Sequence, residues 1–160
     1  MTERIDWKAV IWAAIIAAIV FMMLEMALVA TVGDGSPWGP PRMIAAIVMG
    51  KEVLPPPATF EMGPMLVAML LHLTLSVVFA AILGGVISSR NLNLGMSIIV
   101  GTLFGLLLYL MNFYVFTAIW PWFAMARGTI PIFAHAAYGL TLGWVYRALT
   151  SQRVKIIEER

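Results

Sequence analysis

Four long apolar segments fill most of this 160-residue chain and restrict how it can fold. They run over about 10–32, 63–87, 94–119 and 130–149. Each reaches the ~20 residues that an α-helix needs to cross ~30 Å of hydrocarbon. Continuous helices are favoured because lipid offers backbone amides no hydrogen-bond partners, and the sequence lacks the alternation of a β-barrel strand. The segments therefore predict an all-α membrane protein with four transmembrane helices.

Composition agrees with a bilayer environment. Hydrophobic residues make up 62% of the chain and charged residues 11%, whereas an ordinary soluble domain carries about 25% charged residues. The spans leave no room for a separate soluble domain, so 1–160 is predicted to be a single membrane domain. The first apolar run is longer than the ~7–15 residues of a signal peptide, and Glu25 interrupts it, so it is predicted to remain as a helix.

The distribution of Lys and Arg predicts the orientation. Four spans put both termini on one side, which carries seven cations, against three on the other. By the positive-inside rule the termini are cytoplasmic. The net charge of +2 is read as this topology signal and forms no basic face, so no nucleic-acid partner is expected. The seven are Arg4, Lys8, Arg90, Arg147, Arg153, Lys155 and Arg160; the three are Arg42, Lys51 and Arg127.

The outer connection between the first two spans, residues 33–62, opens and closes with proline-rich turns. Between these turns the apolar stretch MIAAIVMG is too short to cross a bilayer. It is predicted to be a short interfacial segment, either capping the helix ends or gating a substrate.

An internal repeat relates the two halves of the chain. MMLEMALVAT and SPWGPPR in the first half resemble YLMNFYVFTAIWPWFAMAR in the second, so that Glu25 corresponds to Asn112 and His72 to His135. Each half holds two spans, so the halves have the same orientation and form a parallel repeat, unlike the inverted repeats of many transporters. The predicted fold is therefore two parallel-repeated helix hairpins.

The repeat places four polar side chains, Glu25, His72, Asn112 and His135, in one intramembrane layer. At 1.5 Å per residue they lie ~8–14 Å below the predicted outer surface. In a structural interpretation they form interhelical hydrogen bonds, Glu25 with one histidine and Asn112 with the other, worth roughly 0.6 kcal/mol each. In a functional interpretation, ionisable residues at this depth mark a ligand, proton or ion site.

Two cofactor hypotheses follow from the same layer, although the first expectation is that no cofactor is bound. His72 and His135 could ligate a b-type haem axially, and Glu25 with both imidazoles could hold a transition metal. Leu71 and Leu73 flank His72 and do not supply the clearance that a haem needs. The absence of cysteine excludes disulfides and thiolate metal sites.

Small residues predict close helix packing. Gly101 and Gly105, and likewise Gly139 and Gly143, have GxxxG spacing within apolar segments. Such faces either close the four helices on themselves or dock a neighbouring subunit.

The last span carries a pattern of the form H-x-x-[YF]-G-x-x-x-G-x-x-Y. His135, Tyr138, Gly139, Gly143 and Tyr146 match it. Together with the PWGPPR and PPPATF turns, this pattern resembles a group of small four-helix bacterial inner-membrane proteins without an established activity. Some similar sequences are labelled sodium:proline symporter, but four spans are far too few for that architecture. The resemblance implies a bacterial inner-membrane location and a four-helix fold.

Three functions remain, and no motif for a phosphate loop, zinc protease or serine hydrolase points to an enzyme. The first, which the sequence favours over the other two, is a non-catalytic accessory or structural subunit of a larger complex, such as a respiratory or membrane-oxidase complex. Its expected partners are lipid and other membrane subunits or further copies. The second is a haem- or metal-binding subunit using His72 and His135. The third is a small oligomeric proton-coupled transporter using Glu25.

Overall fold

The computed structural model describes residues 5–158, and within that range the chain is helical with no strand. Five α-helices follow one another as α1 (Trp7–Thr31), α2 (Gly39–Met49), α3 (Met62–Ser89), α4 (Leu94–Leu110) and α5 (Thr129–Glu158). Arg4 and Arg160, two of the cations counted for the orientation, lie outside the described residues.

Local signals in the sequence explain where two of these helices begin. The Asp6 side chain accepts hydrogen bonds from the amides of Lys8 and Ala9, at 3.0 and 3.1 Å, and so caps α1. Asn93 caps α4 in the same way by accepting from the Met96 amide at 2.9 Å. These caps satisfy amides that have no partner inside the helix.

Three helical stretches are long and apolar enough to cross a membrane. They are Trp7–Thr31, Met62–Ser89 and Leu94–Ala118, which correspond to the first three predicted spans. The predicted fourth span, 130–149, lies within α5, which is long enough but less apolar. The described part of the chain is thus all-helical, with three membrane-crossing candidates.

The third predicted span, 94–119, is not one regular α-helix. Regular α4 ends at Leu110 and continues as a π-helical turn, Met111–Val115, and a 3₁₀ turn, Phe116–Ala118. A further 3₁₀ segment, Pro121–Ala126, leads towards α5. Pro121 begins the last of these segments, where its missing amide and fixed φ disfavour a continuing α-helix. The irregular backbone brings Asn112 and Phe113 to the functional region described below.

The short apolar stretch in the long loop forms α2, which begins after Trp38 with two prolines in its first turn. It packs on α3 and is held by Arg42, which is 7% exposed. The Arg42 side chain donates to the carbonyls of Val53 and Thr59, both at 3.1 Å, and pairs with Glu61. This network fixes the loop over the helix ends.

The long helices form an arc in the order α4, α5, α1, α3. Neighbours in this order pack extensively, whereas α3 and α4 at the two ends of the arc hardly touch. At one end of the bundle the Tyr146 hydroxyl lies 2.7 Å from Ser88 Oγ and accepts from the Asp6 amide at 3.4 Å. We call this the terminal end, because α1 begins there, and the opposite one the loop end.

Small side chains allow the close contacts inside the arc. Ala13, Ala14, Ala17 and Ala18 of α1 have no exposed surface. Large apolar side chains such as Leu103 point outwards and are 60% exposed. This distribution suits helices whose outer faces contact lipid.

The four GxxxG glycines face one another across the contact of α4 with α5. A Cβ atom on Gly101 would overlap the backbone of Gly139, and one on Gly105 would overlap the carbonyl of His135. Gly143 meets the Ser97 carbonyl in the same way. The sequence left two roles open for these glycines, packing within the chain or docking of a neighbouring subunit. In the structure they pack α4 against α5 within the chain.

Candidate functional site

A cavity of about 880 Å³ opens near the loop end, inside the concave side of the arc. Its walls come from α1, α3, the end of α4 with its π-helical turn, and the start of α5, while α2 and the segment before α5 lie around its mouth. Most lining side chains are apolar or aromatic. A space of this size and lining is typical of a site for a small molecule.

All four residues of the predicted polar layer line this cavity: Glu25, His72, Asn112 and His135. They come from three helices and the π-helical turn, so the fold brings together residues that are far apart in the chain. Their hydrogen bonds differ, however, and these differences determine what each side chain can do.

His135 is held on both sides and is 5% exposed. Its Nδ1 lies 2.8 Å from the Pro131 carbonyl, and its Nε2 lies 3.2 Å from Asn112 Nδ2. A carbonyl only accepts and an amide NH₂ only donates, so Nδ1 carries the proton and Nε2 accepts. This arrangement describes a neutral imidazole in a single tautomer.

His72 links α3 to α1 through a backbone group. Its Nε2 lies 3.1 Å from the Ala18 carbonyl, to which it donates. The pairing of Glu25 with a histidine, expected from the structural interpretation, is not formed in the described part of the chain, whereas that of Asn112 with His135 is.

Phe21 packs between the two histidines. Its ring centroid lies 5.2 Å from that of His72 and 4.8 Å from that of His135. A haem with both histidines as axial ligands would have to displace this ring, and His135 would have to give up a hydrogen bond to ligate through either nitrogen. The arrangement of these residues therefore does not fit a bis-histidine haem without rearrangement.

At the floor of the cavity, farthest from its mouth, the polar side chains among the described lining residues are those of Ser76 and Tyr138. Ser76 donates to the Ala14 carbonyl at 2.9 Å, and its Oγ lies 3.0 Å from the Tyr138 hydroxyl. One turn further along α5, Leu142 has no exposed surface. The floor is therefore followed by apolar core, and the cavity does not continue towards the terminal end.

Glu25 is the unusual member of the layer. It is 7% exposed, and its carboxyl group forms no hydrogen bond or ion pair with residues 5–151, the part of the chain whose side chains are described. Arg42 is equally buried but has protein partners for its charge. Burial of a carboxylate without a partner costs free energy. Glu25 faces the cavity, where a bound ligand could act as its partner.

Arg127 lies at the mouth of the cavity and caps the irregular end of α4. Its Nε donates to the Phe113 carbonyl at 2.7 Å, its Nη2 lies 3.4 Å from Thr117 Oγ1, and the guanidinium stacks 4.4 Å from the Tyr114 ring centre. The π-helical turn leaves backbone carbonyls without the usual helical partners, and the guanidinium satisfies one of them. Arg127 is exposed.

Some residues of the site were not singled out from the sequence. Phe21 lies one helical turn before Glu25 and therefore on the same face, which is a usable signal. Tyr138 was noted from the sequence only as part of the last-span pattern, and Ser76 was given no role. Their contact across α3 and α5 has no sequence signature.

Among residues 5–151, whose side chains the structure describes, no group of three or more His, Asp or Glu side chains is arranged to hold an ion. Comparison of the chain with protein-family models, with curated proteins and with solved structures gives no match. The functional argument therefore depends on the site itself.

Proposed function

We propose that the protein is a small membrane transporter or carrier that holds a mainly apolar molecule in the loop-end cavity, with Glu25 as the polar anchor. The observation that carries this proposal is the buried, unpaired carboxyl group of Glu25 facing a cavity of about 880 Å³. Of the three functions considered from the sequence, the transporter is the one for which this arrangement has a use.

The proposed setting is a bacterial inner membrane crossed by α1, α3, α4 and α5, with both termini cytoplasmic. The charge distribution and the resemblance of the last span support this setting. The cavity then opens towards the outer side. We retain the parallel repeat as part of the proposal, with the difference that Asn112 bonds to His135 while Glu25 is left for a ligand.

The accessory-subunit hypothesis has less support. One of its arguments was that smooth, glycine-containing helix faces were available for a neighbouring subunit. Gly101, Gly105, Gly139 and Gly143 are instead used between α4 and α5. A cavity with an unpaired acid also has no evident role in a purely structural subunit.

Site-directed labelling tests the proposal, because the chain contains no cysteine and each introduced thiol is unique. Met111→Cys places a thiol on the cavity wall. Leu107 is 52% exposed and is not among the residues that line the cavity, so Leu107→Cys serves as the matched control. Each variant is labelled with a small environment-sensitive bimane fluorophore and reconstituted in lipid nanodiscs.

Three probes with the same shape are then titrated: tetraphenylphosphonium, tetraphenylborate and the neutral tetraphenylmethane. We expect at least one to change the fluorescence at position 111 saturably and to leave position 107 unchanged. If none of the three does so, or if both positions respond alike, the cavity is not a binding site and the proposal fails.

A further inference from the structure

We infer that the cavity selects an organic cation, an ammonium or phosphonium group surrounded by apolar substituents, with Glu25 as its counter-ion. This inference rests on the proposed function and specifies its ligand class. It depends on charge, on the aromatic walls and on the shape of the arc.

The charge of the cavity is not balanced by the protein. Among the described residues that line it, Glu25 and Arg127 are the only Asp, Glu, Lys or Arg side chains. Arg127 is exposed at the mouth and already bound to the Phe113 carbonyl and the Tyr114 ring. His135 is neutral, because its Nε2 accepts from Asn112. The protein therefore supplies no cation to Glu25: without a ligand this buried acid carries a proton, and a ligand with positive charge takes the place of the proton.

The walls of the cavity favour the same sign of charge. Phe21 lies one turn below Glu25, and Phe113, Phe116, Trp120 and Phe123 are also among the lining residues. The faces of aromatic rings carry partial negative charge and attract cations, most strongly where water is excluded. An anion would lose its hydration against these rings, and their faces would repel it.

The apolar lining also determines which chemical groups the cation carries around its charged atom. Apolar side chains such as Leu75, Leu108 and Met111 make up much of the wall. A compact, strongly hydrated ammonium ion would lose its water shell here without replacement. Apolar substituents around the charge avoid this loss and fill the remaining volume.

Such a molecule dissolves in membranes, and the arc offers an approach from the bilayer. The helices α3 and α4 hardly touch, and both contribute to the cavity wall. Their closest aromatic contact, Phe79 with Phe104 at 6.3 Å between ring centres, lies towards the terminal end. The sparse contact of α3 with α4 on the loop side of these two rings is the approach from the bilayer to Glu25 in this proposal.

The test uses the labelled Met111→Cys protein described above and compares tetraphenylphosphonium with tetraphenylborate, which have nearly the same shape and opposite charge. Affinities are expressed per concentration of probe in the bilayer, measured with protein-free nanodiscs, because the two ions partition differently. The comparison is repeated with Glu25→Gln, which keeps the size of the side chain. The helicity and the unfolding midpoint of this variant are measured first and must equal those of the parent protein.

We expect the cation to bind at least about 30-fold more tightly than the anion, and Glu25→Gln to remove this preference, as loss of one partner of a buried charge pair does. Equal binding of all three probes would overturn the inference and leave the proposed function in place. Tighter binding of tetraphenylborate would also overturn it and would indicate Arg127 as the charge partner. Should no probe bind, both proposals fail. Even if Glu25→Gln does not fold, the comparison of the two ions in the parent protein decides which sign of charge the cavity selects.

Discussion

Asn112 Nδ2 lies 3.2 Å from His135 Nε2, and this hydrogen bond joins the π-helical turn after α4 to the first turns of α5. The interruption of α4 therefore places a polar group where it contacts the neighbouring helix. π-Helical turns occur often at functional sites, because the extra residue redirects the side chains that follow it. Here the redirected side chain fixes the tautomer of a histidine on the cavity wall.

Replacement of Asn112 by leucine should destabilise the protein by about 0.6–1.7 kcal/mol, the range of hydrogen bonds between helices in membranes. The loss also leaves His135 Nε2 without its donor. The measurement is the free energy of unfolding in mixed detergent micelles. Thr102→Val is the control, because Thr102 donates only to the Ile98 carbonyl of its own helix. Equal losses in both variants would contradict the role of the Asn112 bond.

A methyl group on Gly105 should separate α4 from α5. Its Cβ would overlap the His135 carbonyl, and backbone cannot move aside as a flexible side chain does. We expect Gly105→Ala to lower the free energy of unfolding by about 1–3 kcal/mol.

Gly85→Ala is the matched control within a long helix. Its Cβ would meet only the end of the Ile5 side chain, at an ordinary 3.5 Å. The better helix propensity of alanine should then raise the stability by up to about 1 kcal/mol. If both alanine variants were stabilised, the close contact of α4 with α5 would be wrong.

The hydroxyl of Tyr146 should contribute to stability through Ser88, from which it lies 2.7 Å at the terminal end. Tyr146→Phe and Ser88→Ala should each cost about 1 kcal/mol. The double variant should cost clearly less than the sum of the two, because both changes remove the same bond. Strictly additive losses in this cycle would exclude the bond.

Sequence reasoning identified the helical class and the approximate positions of the first three spans, because length and hydropathy are sufficient for both. It also identified Gly101 and Gly139 as packing residues, since close approach of helices requires small side chains. It did not identify how each polar group is satisfied. His72 bonds to the Ala18 carbonyl, and no sequence pattern marks a backbone carbonyl as the partner of a particular side chain.

The interruption of α4 at Met111 was also not predicted, and its cause is tertiary. The membrane-crossing candidate Leu94–Ala118 runs through the π-helical turn, so overall hydropathy does not mark the interruption. The contacts that accompany the change come from elsewhere, namely His135 bonding to Asn112 and Arg127 to the Phe113 carbonyl. A local pattern cannot contain them.

Arg42 should be required for order in the long loop. A lysine at this position keeps the charge but cannot reach the Val53 and Thr59 carbonyls and Glu61 together, because it lacks the planar fork of arginine. We expect Arg42→Lys to increase cleavage by a protease between residues 50 and 61 several-fold. Lys51→Arg, at an exposed position, is the control. Unchanged cleavage in Arg42→Lys would show that the network does not hold the loop.

Binding of an organic cation should weaken as the pH falls, because a proton and the cation compete for the same carboxylate of Glu25. The other titratable or charged groups that line the cavity are His72 on α3, His135 and Tyr138 on α5, and Arg127 at the mouth. A histidine that gains a proton would also repel a cation, so the sign alone does not identify Glu25.

Glu25→Gln separates these contributions. Titration of tetraphenylphosphonium at a series of pH values should show a steep loss of affinity on acidification in the parent protein. In Glu25→Gln the affinity should be low and nearly independent of pH, since the competing carboxylate is gone. If the variant kept the pH dependence of the parent, a histidine would be the titrating group, and Glu25 would not exchange a proton for the ligand.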